Sequence, residues 1–488
     1  MAPSEWKGSL FTFLYKGKGD KLDPDNFRGI SLLSVCAKVY GKLLLDRLQP
    51  ILEPGLLESQ CGFRKGRGCP DLQFSLRRLT ELARAHRAPL WVAFVDFRKA
   101  FDCVNRKALW AILEARGVPH KLIALLRDLY SGCEGRVRVG EALSAPFQIG
   151  SGVRQGCALS PLLFSVFIDT IMRAAITKET AQLAGFRVGY EPTGLLTAPS
   201  LPTNPTCVQH RMVTDLLYAD DAALTARSRD GLTHLLRRLQ DTAQDWGLTI
   251  NITKTKAMVF HPHAALGALP SPIGLRGGQV EFVDRFLYLG AIWTPSGCLD
   301  LEINKRAGVA RGAISQLQPL WSKKGVCRSL KLQLVKALVP PALSYACETW
   351  APTNQQLHRL DVVQQLGIRK ALGVTPLDRV PNHALRQQAG LDDMGTYTRQ
   401  QRLRYLGHVA RDPNRLTHAL LFATHVTHSP NRRQPRIHHT LVDQLREDVQ
   451  VLFRESPQQG SMWYMAAQDR LAWRTRVRAL SASDQTPS

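Results

Sequence analysis

The segment LLYADDAAL, residues 216–224, constrains the fold more than any other stretch of the chain. Two apolar arms flank Tyr218-Ala219-Asp220-Asp221, the pattern of a tight β-hairpin with paired carboxylates at its turn. Asp suits turn geometry for its own local reasons, so this feature alone is compatible with an ordinary structural turn. A second segment, VAFVDFRKAFDCVNRKALW, changes the balance. It is a β-type apolar run that delivers Asp96 at its end and then turns into a helix. If the strand end and the hairpin tip are neighbours in one sheet, three carboxylates share a small space and repel one another. A divalent cation relieves that repulsion, and oxygen-only ligands favour hard Mg²⁺, with Mn²⁺ as a substitute. Two such ions about 3.5–4 Å apart can bind the attacking 3′-hydroxyl and the leaving pyrophosphate oxygen of an in-line phosphoryl transfer. The chemistry expected of Asp96, Asp220 and Asp221 is therefore nucleotidyl transfer.

Charge points to the same class of partner. The formal net charge is +24, and such an excess of Lys and Arg marks a polyanion partner, nucleic acid before membrane. No run of about 18 apolar residues offers a spanning helix, and MAPSEWKGSL lacks the basic and apolar regions of a signal peptide. The expectation is a protein of the cytoplasm and nucleus without a membrane partner. Ten cysteines are scattered singly, with no C-x-x-C pair and no Cys/His ligand spacing, and read as reduced, mostly buried thiols.

Along the chain, VCAKVYGKLLLDRLQPIL has helical apolar spacing and LWVAFVDF reads as a strand. Residues 180–213, rich in Gly, Pro, Thr and Asn, read as a strand and a long surface loop. From about residue 300 the texture turns helical, with Ile303, Ala307, Ala310, Ile314 and Leu317 at three- and four-residue steps. That part holds more than half of the net charge, so its exposed faces suit a nucleic-acid duplex. The basic cluster Asn431–Arg436 reads as a loop and the final residues as a frayed polar tail.

Several segments in order resemble the reverse transcriptases of non-LTR (LINE-type) retrotransposons. FVDFRKAFD is similar to that family's first catalytic block, SGVRQGCALSPLLFSVFID to its template-contacting block, and LLYADDAAL to its paired-Asp block. WGLTINITKTKAMVF resembles the block with a characteristic Lys, and FLYLGAIWTPSG the primer-grip hairpin. Upstream, NFRGISLLSVCAKVYGKLLLDRL and SQCGFRKGRGCPD look like finger motifs; downstream, LVPPALSYACETW and RLRYLGHVARD resemble segments that follow the polymerase core.

The resemblance implies an α+β right-hand polymerase: fingers and palm over 1–295, an antiparallel sheet with helices, then a helical thumb over 296–380 and a basic, mainly helical region over 381–488. It implies an RNA-directed DNA polymerase that extends a DNA primer on an RNA template with dNTPs, working in a ribonucleoprotein with the element's RNA. Asp96 and Asp220 become the principal metal ligands, with Asp221 completing or orienting the site. Phe101 would lie under the incoming sugar and exclude a 2′-hydroxyl, unless it is only a core aromatic. Gln155 and Gly156 would let template and nucleotide approach the backbone closely, and Pro161 fits the first turn of a helix. Arg64 is a candidate clamp on the triphosphate, with Lys65 and Arg67 as competitors. Lys254 would stabilise or protonate the leaving group, with Lys256 as rival.

The chain departs from the family's complete proteins in lacking an endonuclease segment and a zinc knuckle, so a fragment or truncated copy is expected. A group II intron enzyme shares the core motifs but fits the segments after residue 330 less well. Ala219 and Phe101 argue against an RNA-dependent RNA polymerase. The reading of a different kind is a decayed copy that only binds RNA or DNA through its basic surface.

Overall fold

The computed structural model describes residues 2–17, 19–192, 194–196, 208–260, 269–426, 439–453 and 462–480. The basic cluster at 431–436 and the polar tail from 481 lie outside the described residues. Within them the architecture is α+β, with mixed sheets flanked by helices.

The central element is a six-stranded sheet whose middle is formed by Leu90–Val95, Asp221–Ala226 and Lys256–Phe260. Its strands read as near-continuous apolar runs because both faces are covered. Ala93, Val95, Ala222, Leu224 and Ala257 turn to one core, built with the helices Ser160–Ala175 and Arg229–Asp245. Leu90, Val92, Phe94, Ala223, Met258 and Phe260 turn to the other, covered by the helix Cys69–Ala85. The alternation follows from the two-residue period of a strand. Arg229–Asp245 starts where the Ser228 side chain accepts from the Gly231 amide, and it buries Leu232, Leu235, Leu236 and Leu239 on one stripe.

The expectation of an antiparallel sheet needs correction. Leu90–Val95 pairs antiparallel with both of its neighbours, but Lys256–Phe260 runs parallel to Gly278–Phe282, with Lys256 opposite Glu281. The reason is topological: Gly278–Phe282 is the second arm of a hairpin begun at Ile273–Leu275, and that arm points the same way as Lys256–Phe260. A separate sheet nearer the N-terminus is mixed too. There Gly8–Tyr15 pairs antiparallel with Phe27–Leu32 and parallel with Glu134–Val139.

Beyond residue 295, helices Asp300–Gln316, Arg328–Leu343 and Asn354–Leu372 gather around a third core that includes Ile303, Ala307, Ala310, Ile314, Val335 and Val363. Asn354–Leu372 begins with a capping box between Thr353 and Gln356 and stops at Gly373, whose φ of 70° ends the helix. The later helices do not form a core of their own. Leu403, Leu406, Leu445 and Trp473 share the core of Cys69–Ala85, and Ala423–Val426 adds a strand beside Phe186–Tyr190.

Candidate active site

Strand register brings the acidic residues together. Ala222 pairs with Val95 and Asp221 with Tyr218, so Asp96 and Asp221 occupy the next positions along adjacent antiparallel strands. Asp220 lies at the tip, in a turn whose preceding residue, Ala219, has φ 56°. This left-handed conformation, disfavoured for a residue with a Cβ, is imposed by the two-residue turn that matches strand twist.

Asp96 is fixed by the following segment. Its amide donates to Thr255 Oγ1 at 3.2 Å and its carbonyl accepts from the Asn251 amide at 2.7 Å. Lys254 Nζ lies 3.8 Å from Asp96 Oδ2, whereas Lys256 is paired with Glu281 at 2.7 Å, across the parallel strand pair. Of the two rival lysines, Lys254 is the one beside the acidic group.

The carboxylates feel one another. Desolvation, then Asp220, then Asp96 push the Asp221 carboxyl up to about 6, with Arg28 pulling it back. Asp220 is raised mainly by desolvation and further by Asp96, again against Arg28. Asp221 keeps a solvent-exposed edge, yet the surrounding protein walls strip enough water from its carboxyl for desolvation to outweigh the charges of Asp220 and Asp96. Among the described residues no three His, Cys, Asp or Glu side chains converge into a group that could hold a metal ion. The three aspartates are thus coupled by their fields without forming a closed set of ligands.

Arg28 was not singled out by the sequence. It is exposed on Phe27–Leu32, and its charge reaches both hairpin carboxylates. A cation within NFRGIS was the available signal. Gln60 was missed as well. Its fully buried side chain accepts from the Ala219 amide at 3.1 Å and the Gly62 amide at 2.8 Å, tying the loop before Cys69–Ala85 to the acidic turn.

Arg64 is not brought into this group. It donates to the carbonyls of Glu53, Leu57 and Gln60 at 2.9–3.3 Å. Arg67 makes a two-pronged ion pair with Glu58 at 2.8 and 2.6 Å. Lys65 is exposed on the same loop. Phe101 stacks on Phe164, ring centroids 4.3 Å apart, at the edge of the core under the sheet. Gln155 accepts through its carbonyl from the Ser31 amide at 3.0 Å. Gly156, with φ 112°, lies where a Cβ would come 2.4 Å from the Ser31 carbonyl oxygen. A glycine is required there first by the chain's own strand Phe27–Leu32. Pro161 does occupy the first turn of Ser160–Ala175.

The segment FLYLGAIWTPSG forms the hairpin Phe286–Tyr288/Ala291–Trp293, turning at Leu289 and Gly290 with φ 46° and 80°. Phe286 stacks on Phe94 of the central sheet at 4.4 Å. Its turn carbonyls are held by Lys305 and Arg306 of the helix Asp300–Gln316 and by Tyr345 in the turn after Arg328–Leu343. No single helix among the described residues is long and apolar enough to cross a membrane.

Residues 16–293 match the family model for reverse transcriptase (RNA-dependent DNA polymerase). The chain is 25% identical over 450 residues to a probable RNA-directed DNA polymerase from transposon X-element of Drosophila melanogaster, covering 89% of this chain and 45% of that protein. It is 26% identical over 316 residues to a Pol polyprotein from the type-1 retrotransposable element R2 of Nasonia vitripennis, covering 63% of this chain and 28% of that protein. The chain therefore spans less than half the length of either relative. Among solved structures, apo telomerase from Candida tropicalis aligns with a TM-score of 0.44 at 12% identity, over 98% of this chain and 70% of that one.

Proposed function

The chain belongs to the reverse transcriptase (RNA-dependent DNA polymerase) family, in its non-LTR retrotransposon type, and on that premise we propose that it extends a DNA 3′-hydroxyl on an RNA template by two-metal nucleotidyl transfer. The observation that carries the reading is the juxtaposition of Asp96 with Asp220 and Asp221 on adjacent strands, close enough for the charge of Asp96 to raise both hairpin carboxyls. Acceptor-only carboxylates gathered so that the charge of Asp96 raises the proton affinity of Asp220 and Asp221 are the donor chemistry of a hard divalent cation. Bound there, two Mg²⁺ or Mn²⁺ ions would supply Lewis-acid stabilisation of the attacking and leaving oxygens.

The chain's own residues do the rest. Asp96 and Asp220 are the principal ligands, and Asp221 orients the site. Lys254, beside Asp96, holds a cation where negative charge develops on the pyrophosphate and can deliver a proton to it. Arg28 faces the same carboxylates from the finger strand and can meet the triphosphate there. Exposed Lys65 suits the triphosphate better than Arg64, whose guanidinium already donates to three carbonyls. Phe101, held flat by Phe164, selects against a 2′-hydroxyl. Gln155 and Gly156 position the template side of the nucleotide against Phe27–Leu32.

In this reading residues 1–295 are fingers and palm and 296–380 the thumb. The region 381–488 buttresses the palm, consistent with the core it shares with Cys69–Ala85. Template RNA, DNA primer and dNTPs are the substrates, and the element's own RNA the partner in a ribonucleoprotein. The test is dTTP incorporation on poly(rA) primed with oligo(dT), with Mg²⁺ present or chelated. Metal-dependent extension is expected; RNA binding without extension would favour a copy that only binds nucleic acid.

A further inference from the structure

The last described helix, Arg470–Ala479, presents a row of arginines. Arg470, Arg474 and Arg478 recur every four residues, which places them on one face about 6 Å apart along the axis. All three are exposed, and among the described residues none of them makes an ion pair with a carboxylate. The opposite face is anchored: Trp473 and Val477 are buried, and Trp473 Nε1 donates to the Leu403 carbonyl at 2.8 Å. Arg411, on the neighbouring helix end, donates to the Ala467 carbonyl at 2.7 Å and lies within the repulsive field of Arg470 and Arg474. Arg411, Arg470 and Arg474 therefore share one positive field that Arg478 extends along the helix, and among the described residues no ion pair joins any of the four to a carboxylate.

We propose that this row is a docking surface for the phosphodiester backbone of single-stranded RNA. Like charges crowded without partners are complementary to a polyanion, and guanidinium forks match phosphate oxygens. Exposed Leu471, 77% accessible and next to Arg470 on the same helix, offers apolar area to unstacked bases, which a duplex hides and a single strand presents. A bilayer is the poorer fit, because the main apolar residues of this helix, Trp473 and Val477, already face the protein core. The choice of RNA over DNA rests on the function proposed above; the surface would hold the template strand where it has yet to be copied.

The experiment compares the full chain with the triple variant Arg470→Gln/Arg474→Gln/Arg478→Gln, binding labelled oligo(rA) over a range of salt without divalent cations. The expected result is at least about a tenfold weaker affinity, with the slope of log K against log salt reduced by about two. Extension on a template with only two nucleotides beyond the primer duplex should stay within twofold of the parent. A single Arg474→Glu variant, compared by thermal melting and the same titration, guards against a folding defect. Unchanged affinity and slope in both variants would overturn the proposal, as would unchanged RNA binding with lost binding to phosphatidylserine vesicles. The titration involves no catalysis, so an absence of polymerase activity would sink the functional reading and leave this result standing.

Discussion

Gly62 lies against the acidic turn so closely that a Cβ on it would come 2.4 Å from the Ala219 amide nitrogen. The obstacle is backbone, which cannot swing aside as a side-chain tip can. Gly62→Ala must therefore push the loop and the Asp220–Asp221 turn apart. Shifts of about 1 Å at reacting groups can cost on the order of a hundredfold in rate. We expect primer extension to fall by about that factor while oligo(rA) affinity stays within threefold; extension within twofold of wild type would separate this contact from catalysis.

Gln60 supplies the acceptor for two amides at the same junction. Gln60→Leu fills the space but leaves both donors buried without a partner, at about 1–3 kcal/mol each. The variant should melt several degrees lower, and Gln60→Glu, which keeps an acceptor oxygen, should recover part of the loss. Equal melting temperatures for Gln60→Leu and wild type would show that the amides find other acceptors.

The raised carboxyls give the site a pH signature. Asp221 titrates near 6 and Asp220 is also shifted upward, so both hold protons more tightly folded than unfolded. The stability this contributes is full below the unfolded value of about 3.9 and is lost as pH rises through the folded value, about 6 for Asp221. Above that window the repulsion is present and a divalent cation can relieve it. Magnesium should therefore raise the melting temperature at pH 7.5 more than at pH 5, and Asp220→Asn should shrink the difference. A magnesium effect independent of both pH and Asp220 would place cation binding elsewhere.

Phe101 is held flat against Phe164, and Phe101→Val opens the space its ring occupies. Ribonucleotide incorporation relative to deoxynucleotide should rise by at least about tenfold, with roughly 1 kcal/mol of stability lost with the stacked pair. Unchanged sugar discrimination with lowered stability would make Phe101 a core residue only.

Much of this was legible in the chain. The hairpin around Asp220 and Asp221 and the strand ending at Asp96 announce themselves by apolar runs broken at carboxylates, and the helical stripe from Ile303 to Ile314 by its period. What escaped depends on long-range placement. The parallel pairing of Lys256 with Glu281 needs the direction of a later hairpin, which no local pattern encodes. Arg64 looks like a free cation in a basic loop until three carbonyls close around it. Gly156 suggests room for a ligand, yet its closest neighbour is Ser31, more than a hundred residues earlier. Gln60 and Arg28 carry no local signal that separates a residue facing the acidic turn from one facing solvent.

If Asp96, Asp220 and Asp221 carry metal-dependent polymerisation, Asp220→Asn removes one principal ligand while keeping the side chain's size and shape. With Mg²⁺, oligo(dT) and poly(rA), the variant should lose extension by at least about a thousandfold, as expected when a group acting in the transition state is removed. Its affinity for RNA should remain within a few-fold of wild type. Full extension by Asp220→Asn under those conditions would contradict the assignment of the metal site.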